Sequence, residues 1–94
     1  MKHTIIISLN AQKEEAEAYL FYENKSEGLG ERFLQEVEKA LKKIAANPTF
    51  YSYSDSTKSL RDFAIEKFPF VIIYESLEDK ILVTNIHHTK KELK

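Results

Sequence analysis

Cysteine is absent from this 94-residue chain, and glycine, proline and histidine are scarce, with two, two and three copies. The lack of cysteine excludes disulfides, thiolate nucleophiles and cysteine-based zinc sites, and it permits a reducing compartment. With Gly28 and Gly30 as the only glycines, neither a glycine-rich phosphate loop nor a nucleophile elbow can be assembled. Long apolar runs are missing too. Met1-Lys2-His3 leads into the short run Thr4–Ser8, which falls below the apolar stretch of about 7–15 residues in a signal peptide. No segment approaches the roughly 20 residues that span a bilayer. The expectation is a cytoplasmic protein with no membrane partner. Nor is there an excess of charge: 14 Lys and Arg face 15 Asp and Glu, with a sequence pI of about 6.3. Nucleic-acid binders usually carry a basic footprint, with domain pI above about 9. The one local bias is the end of the chain, where Lys90, Lys91 and Lys94 face a single Glu92.

What the chain does contain is enough to fold. It is 43% hydrophobic and 31% charged, a balance that offsets chain entropy, and its length supplies one core, so residues 1–94 form a single domain. Thr4-Ile5-Ile6-Ile7-Ser8 is short and β-branched and reads as a strand. Asn10 is a good N-cap for a helix over Ala11–Asn24, which stops at Asn24-Lys25-Ser26-Glu27-Gly28. From Leu29 to Ala46, Phe33, Val37, Ala40, Leu41 and Ile44 recur on one helical face, and Asn47-Pro48 ends that helix. The short link between the two helices predicts an antiparallel hairpin. Residues 49–57 mix aromatics with Ser and Asp at no steady period and read as an exposed loop. Leu60–Glu66, Phe70–Tyr74 and Ile81–Ile86 read as a strand meander, with Pro69 placed where a strand tolerates it.

The order β-α-α-β-β-β predicts an α+β fold: a mainly antiparallel four-stranded sheet with the helical hairpin on one face. Phe70-Val71-Ile72-Ile73-Tyr74 is apolar at both parities, as a strand buried on both sides would be. Two helices cover one face only, so the other calls for a partner protein or a second copy of the chain.

These segments resemble the RelE/ParE toxins of bacterial type II toxin-antitoxin systems. The match runs along nearly the whole chain: the first strand, Ala11 and the acidic helix to Tyr22; Phe33 and the second helix to Pro48; Leu60-Arg61-Asp62-Phe63; Phe68-Pro69-Phe70 running into Ile72-Ile73-Tyr74; and Ile86-His87-His88-Thr89-Lys90-Lys91. Phe68-Pro69-Phe70 and His88-Thr89-Lys90-Lys91 look closer to ParE. The resemblance implies an antitoxin as partner, which would cover the second sheet face. It also implies plasmid stabilisation and growth inhibition as the setting. ParE-like members poison DNA gyrase by binding, whereas RelE-like members cleave mRNA on the ribosome. A third reading is a degenerate, non-toxic module that only binds antitoxin. Where this chain has Lys91 the family commonly has Arg, which replaces a two-pronged phosphate contact by a point charge.

Cutting RNA through its own 2′-hydroxyl needs a base, an acid and cations around the phosphate. His87, His88, Arg61, Lys90 and Lys91 are the residue types for it, which would make a metal-independent endoribonuclease. His87 and His88 point to opposite faces of a strand, and His88 holds the family position. Arg61 shares parity with Phe63 and Ile65, so it is either an anion ligand or a sheet residue paired with a carboxylate such as Glu75. Tyr74 reads as core, with its hydroxyl tied to a neighbour. Arg61, His88, Lys90 and Lys91 are therefore the expected target-binding residues, with Arg61 and His88 the catalytic candidates. Glu14, Glu15 and Glu17 have no His or Asp at ligand spacing, so neither metal nor cofactor is expected. The near-neutral charge favours the gyrase reading over docking on ribosomal RNA.

Overall fold

The structure, a computed structural model, describes residues 3–89. Along the chain come β1 (Thr4–Ile7), α1 (Leu9–Lys25), α2 (Leu29–Ala46), β2 (Arg61–Ala64), β3 (Phe70–Ser76) and β4 (Lys80–His88). They form one four-stranded sheet in the order β1-β4-β3-β2, with α1 packed against β4 and α2 alongside α1. β2, β3 and β4 are the expected antiparallel meander, whereas β1 lies parallel to β4 and makes the sheet mixed. Direction could not be read from Thr4–Ile7, because that run is β-branched throughout and its partner begins at Lys80, far along the chain.

Several boundaries move for local reasons. The cap of α1 is Ser8 instead of Asn10: its Oγ accepts from the Ala11 amide at 3.0 Å and donates to the Thr84 carbonyl at 3.1 Å. Both residues are good caps, but only Ser8 also reaches β4. α2 begins after Gly28, which has φ +88° and no side chain to cap with. The missing cap comes from α1. Glu23 accepts from the Gly28 and Gly30 amides, both at 2.9 Å, one with each carboxylate oxygen. A Cβ on Gly30 would lie 2.7 Å from both Cδ1 and the carbonyl of Tyr19, so the two helices meet here at backbone distance.

The α2 stripe is buried as its spacing requires, with Phe33, Val37, Ala40 and Ile44 under the sheet. One residue in that stripe is charged: Glu36 is only 8% exposed. Tyr22, Phe33, Phe68 and Phe70 join in an aromatic cluster with ring centroids 4.8–6.1 Å apart, all but the tilted Tyr22–Phe33 pair edge to face. This cluster fastens both helices to the β2–β3 turn.

Residues 49–57 are mostly exposed, as expected, but not free-standing. The Tyr74 hydroxyl donates to the Pro48 carbonyl at 2.7 Å, as its sequence reading anticipated. Tyr53 forms an antiparallel bridge with Arg61, flanked by Asp62 N to Ser52 O at 3.1 Å and Ser54 N to Leu60 O at 2.7 Å. The segment thus pairs with the outer edge of β2 and covers backbone groups that an edge strand would expose.

Removing the shared cap should loosen the hairpin. Glu23→Ala is expected to cost about 1–2 kcal/mol, since two helix-end amides lose a charged acceptor. Gly30→Ala should cost on the order of 1–3 kcal/mol through the clash with Tyr19. Urea unfolding checks both; midpoints unchanged from the parent would refute this account of the hairpin.

Candidate functional site

The sheet register decides where the sequence-derived residues point. Arg61 lies opposite Tyr74 and Phe63 opposite Ile72, so both face the helices. Arg61 reaches the margin of that side, where one guanidinium nitrogen donates to the Tyr51 carbonyl at 2.7 Å and another to the Tyr53 hydroxyl at 2.8 Å. The guanidinium carbon lies 4.0 Å from the centre of the Tyr53 ring. Glu75 is not its partner, because Glu75 pairs with Leu82 on the opposite face. Nothing in the local sequence marks Tyr51 and Tyr53 as its partners, since they belong to the segment outside β2.

His88 is at the other end. It lies opposite Phe70, with the two rings edge to face at 5.3 Å, while His87 lies opposite Val71 on the uncovered face. The expected division of the two histidines between faces holds. Along β3, Tyr74 and Phe70 are about 13 Å apart at ~3.3 Å per residue, and β2 and β4 flank that strand at ~4.8 Å each. Arg61 and His88 are therefore held apart, not brought into one site. Lys90 and Lys91 lie outside the described residues.

A cleft of about 350 Å³ opens beside His88, lined by Glu14, Glu17, Ala18, Phe70, Ile86 and His87. β1 stops at Ile7, so β4 runs on without a neighbour on that side, and α1 supplies substitutes. Glu14 accepts from the Ile86 amide at 2.8 Å and from the Asn85 side chain at 3.3 Å. Among the described residues no group of three or more metal-ligating side chains is found.

The sheet face away from the helices carries Ile6, Leu82, Ile73, Val71 and Ala64, with Asp62, Glu75, Asn85, His87 and Lys80 among them. Among the described residues no helix covers it, and Ile6 is 43% exposed. Its described charges are two carboxylates and one peripheral lysine. Around Arg61 lies a surface of another kind. Phe50 is 77% and Tyr53 44% exposed, and Phe50, Tyr51 and Phe63 meet edge to face in series, with ring centroids 5.0 and 4.7 Å apart. The sequence places Phe50, Tyr51 and Tyr53 in an exposed loop of the kind that contacts partners, but none of them is among the expected site residues; the signal present was the density of Phe and Tyr near an arginine.

Among the described residues four groups are shifted from their usual range: burial pushes Glu15 and Tyr22 up, and Tyr74 and Asp55 carry the shifts with the more specific causes. Burial pushes the Tyr74 phenol up to about 12, against a smaller opposing pull from the Arg61 charge. Asp55 is held below the usual carboxylate range first by the Thr57 hydroxyl and then by the Leu60 amide, with Ser59 adding further bonds.

These features define a small α+β protein whose exposed aromatic and charged groups lie at the sheet margins and on a sheet face that no helix covers among the described residues. The family model described as the ParE toxin of type II toxin-antitoxin systems, parDE, matches residues 5–93. The chain belongs to that family. Its fold is similar to a chain of the chromosomal ParDE TA system from P. aeruginosa, with 13% identity and a TM-score of 0.77, covering 93% of this chain and 96% of that one. No curated protein matches the sequence. None of the helices of the described residues is long and apolar enough to cross a membrane.

The raised Tyr74 value fixes a sign. The fold favours the neutral phenol, so its contribution is full below the unfolded value near 10 and is lost as pH rises through about 12. Denaturant midpoints should therefore fall above about pH 10, and Tyr74→Phe should flatten that fall. Arg61→Ala should release the 50–54 segment at about 1–2 kcal/mol, read as a lower urea midpoint and faster proteolysis within that segment.

Proposed function

We propose that this ParE-family toxin arrests growth by occupying a surface of DNA gyrase, and that a cognate antitoxin restrains it by covering apolar surface left bare by the fold. One observation carries the reading: Arg61 and His88 sit at opposite ends of the sheet, and the uncovered face between its edges bears Asp62 and Glu75. Cleavage of RNA needs a base, an acid and a cation within hydrogen-bond reach of one phosphate. Two carboxylates on the open face oppose a phosphate chain, and a protein partner suits them better.

Exposed aromatics beside an arginine are the usual anchors of protein interfaces. Phe50, Tyr53 and Arg61 form such a set, with the guanidinium already ordered by Tyr51 and Tyr53. Ordering before binding lowers the entropy cost of contact. We assign this margin as the main target contact, with His88 at the far end of β4 and Lys90 and Lys91, which follow it in the sequence, as a second contact. Arg61 then acts by recognition and by holding the aromatic set in place.

The decisive comparison sets the purified chain against gyrase supercoiling and against ribosomes programmed with mRNA. Supercoiling should be inhibited and the mRNA left uncut. Phe50→Ala, an exposed site, should keep the parent stability and weaken inhibition by on the order of 1–2 kcal/mol. Codon-specific cleavage with no effect on supercoiling would make the endoribonuclease reading correct.

A further inference from the structure

The target reading makes no use of a groove of about 450 Å³ between α2 and the turn from β2 to β3, lined by Leu29, Arg32, Gln35, Glu36, Lys39, Lys67 and Phe68. Its charge is one-sided. Glu36 lies almost buried at its base, and one carboxylate oxygen serves both Lys39 at 3.3 Å and Lys67 at 3.7 Å. Two ammonium groups thus share a single anion. Arg32 adds a third cation, and its guanidinium has no partner among the described residues. It also sits in the first turn of α2, where the helix dipole disfavours positive charge. Lys67 holds φ +72°, a left-handed backbone that places a lysine where glycine would be easier. The groove carries a surplus of about two positive charges on a chain whose formal net charge is −1.

We propose that this groove docks an acidic peptide segment of a protein partner, with carboxylates on Arg32 and the outer sides of Lys39 and Lys67, and an aliphatic side chain against Leu29 and Phe68. Charge complementarity chooses the occupant. Three cations match two or three carboxylates. A continuous phosphate chain needs more, and it would meet Glu36 at the base. Leu29 and Phe68 are half-buried walls that a leucine can complete and a sugar-phosphate backbone cannot. Arg32 provides the two-pronged carboxylate contact, while the lysines supply point charges. The proposal does not depend on gyrase being the target.

Fluorescence anisotropy with a labelled synthetic peptide of repeating Leu-Glu-Glu units tests it, with the Leu-Gln-Gln peptide and a single-stranded oligonucleotide of equal charge as controls. Saturable binding of the acidic peptide is expected, weakened about tenfold by Arg32→Glu and again by raising salt from about 50 to 300 mM. Arg32 has no side-chain partner to lose among the described residues, so circular dichroism should show Arg32→Glu folded as the parent. Lys67→Gly should relieve the backbone and also weaken binding, which separates loss of charge from loss of fold. Equal binding by Arg32→Glu, no saturable binding of the acidic peptide, or tighter binding of the oligonucleotide would each overturn the assignment.

Discussion

A four-stranded sheet has two faces, and the described residues supply helices for one. That constraint organises the rest of the molecule. Both helices must pack on the same side, so they meet closely enough for Gly30 to lie against Tyr19 and for a glutamate of one to cap the other. Aromatic residues fill the space beneath them because few residues are available to build the core, and rings bury the most surface per residue. The opposite face retains Ile6, Val71, Ile73 and Leu82 with no helix over it among the described residues. The chain's family belongs to toxin-antitoxin systems, and under the function proposed above the antitoxin supplies the layer that this face lacks.

The sheet edges show the same economy. β2 is covered by residues 51–54, and the run of β4 beyond β1 is covered by the side chains of Ser8 and Glu14. Each device uses residues that also do something else: Ser8 begins α1, and Arg61 ties the covering segment to the sheet while stacking on an exposed tyrosine. Protection of an edge and display of a contact surface are therefore one arrangement at β2. A substitution at Arg61 acts on both, which is why an exposed neighbour such as Phe50 separates recognition from folding more cleanly.

The parts legible in the sequence were those governed by local periodicity. The α2 stripe, the meander and the two-sided β3 follow from spacing alone, and the division of His87 and His88 between faces follows from the period of a strand. What escaped depends on partners distant in the chain. β1 gave no sign of running parallel to β4. Ser8 displaced Asn10 as the cap because of Thr84, and Arg61 found Tyr51 and Tyr53 instead of Glu75 because the intervening segment folds back along β2. Glu36 was omitted from the buried stripe because it is charged, although its position between Phe33 and Val37 places it on that face. Its burial is tolerable only because Lys39 and Lys67 stand over it, and Lys67 arrives from a different element.

Near-neutral net charge also conceals a sorting of charge that only the fold reveals. Arg32, Lys39 and Lys67 gather beside α2, Glu14 and Glu17 beside the end of β4, and Asp62 and Glu75 on the open sheet face. Overall balance argues against a surface that grips nucleic acid along its length, but it does not argue against strong local fields. Patches of both signs within a 13.1 Å radius of gyration suit a protein that is read by other proteins from several sides. An acidic segment and a cationic or apolar segment can each find a complementary region, and because the patches lie on different elements, one can be occupied without displacing the other. Long-range steering between them is cut off by salt within about 8 Å, so each patch selects its occupant by contact geometry and not by the charge of the whole molecule.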